Sequence, residues 1–162
     1  MGQLILIGFM GAGKSVVGQE LARLKDSSFI DLDTKITEVY GPISTIFSAQ
    51  GETKFRQLEY EQLTAPMPEN SVIATGGGIV TYNLSREWLM AAPMAIWLKV
   101  SFKTVQERLH AVEQAKRPLF DDQVKERFDR RQDLYESCAK ITLDVDTMSV
   151  TDIAETIINR YG

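Results

Sequence analysis

Residues 8–15 read Gly-Phe-Met-Gly-Ala-Gly-Lys-Ser and fit GxxxxGK[ST]. Glycine allows backbone shapes and close approaches that a side chain would block. Successive main-chain N–H groups from Gly11, Ala12, Gly13 and Val16 can then turn toward phosphate oxygens, with a helix N-terminus behind them. Lys14 is expected against the β- and γ-phosphates, and the Ser15 hydroxyl on a Mg²⁺ ion. The chemistry this prepares is that of a nucleoside triphosphate.

Five further segments have residue types suited to an acceptor. Asp31 and Asp33 flank Leu32, and on a strand residues two apart share a face. One carboxylate could hold a metal-bound water; the other could hydrogen-bond a hydroxyl and take its proton. A pair of turn or helix-cap aspartates before Thr34 is the plainer alternative. Gly51-Glu52-x-x-Phe55-Arg56-x-x-Glu59 puts Arg56 and Glu59 three apart on one helical face, and an ordinary surface ion pair would look the same. Thr75-Gly76-Gly77-Gly78 offers bare N–H groups to an anion. Arg117-Pro118 and Arg131-x-x-Leu134-Tyr135 supply two more guanidiniums.

The elements that must position these groups alternate. Apolar runs at 4–7, 29–33, 71–75, 94–100 and 141–145 read as strands. Helical spacing covers about 14–24, 34–40, 43–49, 52–64, 84–91, 102–110, 123–138 and 150–160. Arg131 is expected near the start of the late helix. The polar stretch 111–122 has little periodicity. Short apolar strands between helices indicate an α/β fold: a parallel sheet with helices on both faces, in three layers. Ligands of such sheets bind at the carboxyl ends of the strands. The glycine-rich turn, the two aspartates and the triple glycine all fall there.

Composition sets the outer bounds. The chain has 162 residues, 44% of them hydrophobic, which suits one compact domain. A net charge of −4 disfavours non-specific nucleic-acid binding. No stretch resembles a signal peptide or a membrane span, so a cytoplasmic protein with no membrane partner is expected. The single cysteine, Cys138, reads as a small packing residue on a late helix. Trp97 and Phe29 read as core, Trp88 as packing, and Lys125-Glu126-Arg127 as a solvated helix face. The third strand ends without a carboxylate and no NKxD occurs, both of which weaken a GTPase reading.

GFMGAGKS, the Asp-x-Asp after Phe29-Ile30, GExxFRxxE, TGGG, RPL and RxxLY occur in that order along the whole chain. Together they resemble the shikimate kinase family, whose fold is a nucleoside-monophosphate-kinase-like P-loop domain. The resemblance implies a five-stranded parallel sheet, a substrate-binding segment at about 33–62 and a mobile lid at about 110–123. It implies ATP and shikimate as partners, Mg²⁺ as cofactor, a monomer, and transfer of the γ-phosphoryl group to the 3-hydroxyl of shikimate.

Under that resemblance Asp33 contacts the reacting hydroxyl and Asp31 holds Mg²⁺ through water. Arg56, Arg131 and the Gly77–Gly78 backbone clamp the substrate carboxylate, and Glu59 orients Arg56. Arg117 reaches the transferring phosphoryl group from the lid. Either Arg108 or His110 would meet the adenine. Gluconate or a nucleoside monophosphate as acceptor, and a nucleotide-binding regulator with no acceptor, are the competing readings.

Overall fold

The computed structural model describes residues 2–114 and 123–162, apart from the side chains of 112–114. Arg117 therefore lies outside the described residues, as does most of the segment expected to form a lid.

Among the described residues five strands form one sheet: β1 (Leu4–Ile7), β2 (Ser28–Asp31), β3 (Ser71–Ala74), β4 (Ala95–Lys99) and β5 (Ile141–Asp144). Their order is β2-β3-β1-β4-β5, and every pairing is parallel. β1 and β3 are buried along their whole length, which is why they read as unbroken apolar runs rather than alternating ones.

Among the described residues six α-helices lie between the strands and a seventh follows β5: α1 (Lys14–Lys25), α2 (Leu32–Tyr40), α3 (Ile43–Thr64), α4 (Asn83–Ala91), α5 (Phe102–Gln114), α6 (Val124–Cys138) and α7 (Val150–Tyr161). The chain moves one way across the sheet from β1 to β2 and the opposite way in each later crossover. Right-handed connections therefore send α1 to one face and α3, α4 and α6 to the other. The packing agrees: α1 lies against α7, and α4 against α3 and α6.

The main core is the sheet interior with Val17, Leu21, Leu89, Phe128, Tyr135, Ile153 and Ile157 from the helices. A second, smaller cluster holds α2 to α3 through Ile36, Ile46, Phe55 and Leu58. Cys138 and Trp97 are core residues, and Phe29 and Trp88 pack against the core while partly buried.

Three local expectations are corrected. β2 stops at Asp31, so Asp33 does not share a strand face with it; Asp33 lies in the first turn of α2. Asp31 is the N-cap of that helix and accepts a bond from Thr34 N–H, which satisfies one of the orphan donors of the first turn. α5 runs on to Gln114, four residues past the expected end. Arg131 sits in the middle of α6, not near its start. The expected break between helices at 43–49 and 52–64 is present as a kink at Gly51, whose φ of 83° is left-handed.

Candidate active site

The carboxyl edge of the sheet carries three cavities that share walls. The first, about 510 Å³, is lined by Asp33, Phe47, Arg56, Glu59, Gly78 and Arg131 among others. The second, about 310 Å³, is lined by Gly13, Lys14, Ser15, Asp31 and Asp33. Met10, Asp33, Gly76 and Gly77 belong to both. The third, about 300 Å³, continues from Gly11, Gly13 and Val16 to Arg108, Met148 and Ile153. The three form one trough in which Asp33 stands at the boundary between the arginine-lined end and the glycine-rich loop.

The loop between β1 and α1 supplies the middle of the trough. Gly13 is the N-cap of α1 with φ 90°, a conformation strained for any side chain, and no side chain among the described residues caps the helix. The first-turn N–H groups are thereby left open to an anion. Lys14 is buried, and its Nζ donates to Gly8 O at 2.7 Å and to Phe9 O at 3.0 Å. Burial lowers its pKa to about 8, although Asp33 and Asp31 pull in the opposite direction. Ser15 Oγ donates to Asp31 Oδ2 at 2.6 Å, so the hydroxyl and a carboxylate meet beside the loop.

At the acceptor end Arg56 is held by Glu59 at 2.5 Å and by Glu52 at 3.4 Å. Its guanidinium also lies 5.1 Å from the Phe55 ring centroid and 5.9 Å from that of Phe47. Glu59 is buried, and its Oε2 has no hydrogen-bond partner among the described residues. Burial raises the Glu59 pKa, against the pull of Arg56. Asp33 is raised as well, first by burial and then by Asp31, with Lys14 and Arg56 opposing. Arg131 is buried over the Phe9 ring, 5.6 Å from its centroid. Burial lowers its pKa. Two guanidiniums and a buried carboxyl with spare bonding capacity thus converge on one cavity.

The 75–78 loop closes the floor. Thr75 N–H and Oγ1 both donate to Leu6 O, which fixes the loop to β1. The Tyr135 hydroxyl, fully buried, donates to Gly77 O and ties α6 to the same loop. Burial raises the Tyr135 pKa, so it stays a donor.

Most expected site residues meet in this trough: Gly11, Ala12, Gly13, Lys14, Ser15, Val16, Asp31, Asp33, Arg56, Glu59, Gly77, Gly78 and Arg131 line its cavities. Of Arg108 and His110, Arg108 is in the third cavity and donates to Gly11 O; His110 is exposed on α5. The sequence reading missed Met10, Phe47, Arg127 and the Tyr135 hydroxyl. Arg127, expected on a solvated face, is half-buried and lines the first cavity. Its signal was available: it precedes Arg131 by four residues, one helical turn.

A family model described as shikimate kinase matches residues 10–161. The shikimate kinase of Helicobacter hepaticus is 37% identical over 163 residues, spanning 98% of this chain and 95% of the relative. That of Bacillus cytotoxicus is 35% identical and spans 100% and 99%. Among solved structures, shikimate kinase from Acinetobacter baumannii in complex with shikimate has a TM-score of 0.85 at 28% identity, covering 100% of this chain and 96% of that one. Shikimate kinase from Aquifex aeolicus has a TM-score of 0.81 at 31% identity, covering 97% and 94%.

Proposed function

Since this chain belongs to the shikimate kinase family, we propose that it transfers the γ-phosphoryl group of ATP to the 3-hydroxyl of shikimate, giving shikimate 3-phosphate for aromatic amino-acid biosynthesis. The observation that carries the reading is the position of Asp33, which lines both the arginine-rich cavity and the phosphate-loop cavity. A hydroxyl bound in the first cavity would meet a γ-phosphate from the second beside that carboxylate.

Each group then has a task. ATP phosphates occupy the second cavity, cradled by the N–H groups of the 11–16 turn. Lys14, bonded here to Gly8 O and Phe9 O, exchanges at least one of those carbonyls for a phosphate oxygen. The adenine lies in the third cavity beside Arg108. In the first cavity Arg56 and Arg131 grip the shikimate carboxylate; the planar guanidinium fork suits a carboxylate. The N–H groups of Gly77 and Gly78 complete the clamp, and Glu59 fixes Arg56. Asp33 accepts a hydrogen bond from the 3-hydroxyl and takes its proton as the oxygen attacks phosphorus. Its raised proton affinity favours that transfer. The step is mainly one of positioning and charge neutralisation.

The residues fit a Mg²⁺ site. Ser15 Oγ and Asp31 Oδ2 converge as hard oxygen donors, and no cage of three or more His, Cys, Asp or Glu side chains exists among the described residues. That is the donor set of an ion held chiefly by phosphates and water. When bound, Mg²⁺ would neutralise charge developing on the β- and γ-phosphates. Ser15 would ligate it directly and Asp31 through water. Arg117, outside the described residues, remains the proposed lid arginine, with about 110–123 as the lid and about 33–62 as the substrate-binding segment. Monomeric state and a cytoplasmic location belong to the same proposal. No helix among the described residues is long and apolar enough to cross a membrane.

A coupled ADP-release assay with Mg-ATP across shikimate, gluconate and nucleoside monophosphates tests the reading. Shikimate-dependent ADP release well above the other acceptors is expected. Equal or greater release with another acceptor would replace shikimate; release independent of any acceptor would leave only an ATPase.

A further inference from the structure

The first cavity has an even charge balance. Its described lining carries three carboxylates, Asp33, Glu52 and Glu59, and three guanidiniums, Arg56, Arg127 and Arg131. Arg56 is already engaged by Glu59 and Glu52. Without Arg127 the lining would hold more negative than positive charge, a poor field for an anionic acceptor.

Arg127 is placed to correct this. It precedes Arg131 by one turn of α6, so the two side chains lie on the same helix face. Phe128, the next residue, anchors the turn by packing edge-on against Phe9 at 5.2 Å between ring centroids. Arg131 is buried at the inner end, whereas Arg127 is only half-buried. Arg127 is also close enough to lower the proton affinity of Arg131, as Arg56 does. An anion between them would relieve that repulsion.

We propose that Arg127 is a specificity-determining residue, the outer cation of the acceptor cavity that makes it select a carboxylate-bearing substrate over a neutral analogue of the same shape. The inference rests on the kinase reading for the identity of the acceptor. Arg127 acts mainly in capture. A half-exposed charge works through a screened field, so its effect weakens as salt rises. It does not touch the reacting oxygen, and turnover at saturation depends on it far less than affinity does.

The test compares wild type, Arg127→Gln and Arg127→Lys. Calorimetry reads binding of shikimate and of its methyl ester, which lacks the negative charge, at low and high ionic strength; KM and kcat are read alongside. Arg127→Gln should weaken shikimate binding about tenfold at low salt, less at high salt. Ester binding and the KM for ATP should stay unchanged, and lysine should restore most of the loss. An equal loss for acid and ester, or none for the acid, would overturn the proposal. If Arg127→Gln does not fold, Arg127→Leu removes the same charge and is read by the same ratio of acid to ester binding, an unchanged ratio overturning the proposal. Wild-type binding of shikimate without phosphorylation would overturn the kinase reading and leave the role of Arg127 to stand or fall on affinity.

Discussion

The guanidinium of Arg56 fills the space that a side chain on Gly78 would need. A Cβ at residue 78 would overlap Nη1, Nη2 and Cζ of Arg56. Gly78 has ordinary backbone angles, φ −96° and ψ 6°, so its glycine is required by room and not by conformation. Gly78→Ala should therefore leave the fold intact and push Arg56 off the cavity floor. We expect the KM for shikimate to rise about tenfold, as for loss of a charged hydrogen bond, with the KM for ATP unaltered. Arg56→Ala should raise it at least as far. Wild-type shikimate dependence in the Gly78→Ala enzyme would show that Arg56 does not need its present position.

Asp33→Asn should lower turnover by at least about a hundredfold, the usual scale for a general base. The same change should hold or raise the melting temperature. The Asp33 carboxyl is raised above its ordinary value by burial and by Asp31. Its charged form is thus disfavoured in the folded protein, a cost that protonation or an amide removes. An Asp33→Asn enzyme that is less stable but fully active would contradict both halves.

The pH profile has two limbs with opposite signs. Lys14 has its pKa lowered to about 8, so it is charged below that pH and loses its proton as pH rises through it. A neutral amine holds a triphosphate poorly. kcat/KM for ATP should fall above pH 8, approaching about tenfold per pH unit, because this ratio reports the free enzyme. In Lys14→Arg that limb should vanish from the remaining activity. On the acid side Asp33 must be ionised, and its raised pKa moves loss of activity to a higher pH than an ordinary aspartate would give. A profile flat from pH 7 to 10 would exclude Lys14 as the titrating group.

Tyr135→Phe removes the hydroxyl that donates to Gly77 O. The Gly77 carbonyl then loses a buried partner, which should cost about 1–3 kcal/mol in urea unfolding. The 75–78 loop should also loosen, raising the KM for shikimate more than that for ATP. Stability and KM values equal to wild type would mean that water replaces the hydroxyl without consequence.

Much of this molecule is legible one residue at a time. The phosphate loop is readable because its function is carried by the main chain, and the glycine spacing encodes the main chain directly. The buried strands are readable because they are covered on both faces and so are apolar throughout. The Asp31–Asp33 pair is harder. Both residues do line the trough, but the apolar pattern extends the strand two residues too far. The competing physics is helix capping: an aspartate that can satisfy an N-terminal N–H ends a strand as readily as it continues one.

Arg127 escapes the sequence for a different reason. A charged triplet on a helix has the same local signature whether the helix faces water or a cavity, and only the packing of α6 against β4 and the turn after β3 makes the distinction. That Arg108 rather than His110 reaches the phosphate loop is decided by the same kind of information, the approach of α5 to Gly11.

By itself, then, the order of residues determined the chemistry available: a triphosphate cradle, carboxylates, several guanidiniums and a glycine run bare of side chains, set on alternating strands and helices. Tertiary structure alone decided which of these meet. Periodicity specifies which face of an element is apolar, but not which element lies opposite. Contacts such as Tyr135 with Gly77, Arg108 with Gly11 and Arg56 with the space over Gly78 join parts of the chain 58, 97 and 22 residues apart, and the sheet order brings them to one edge.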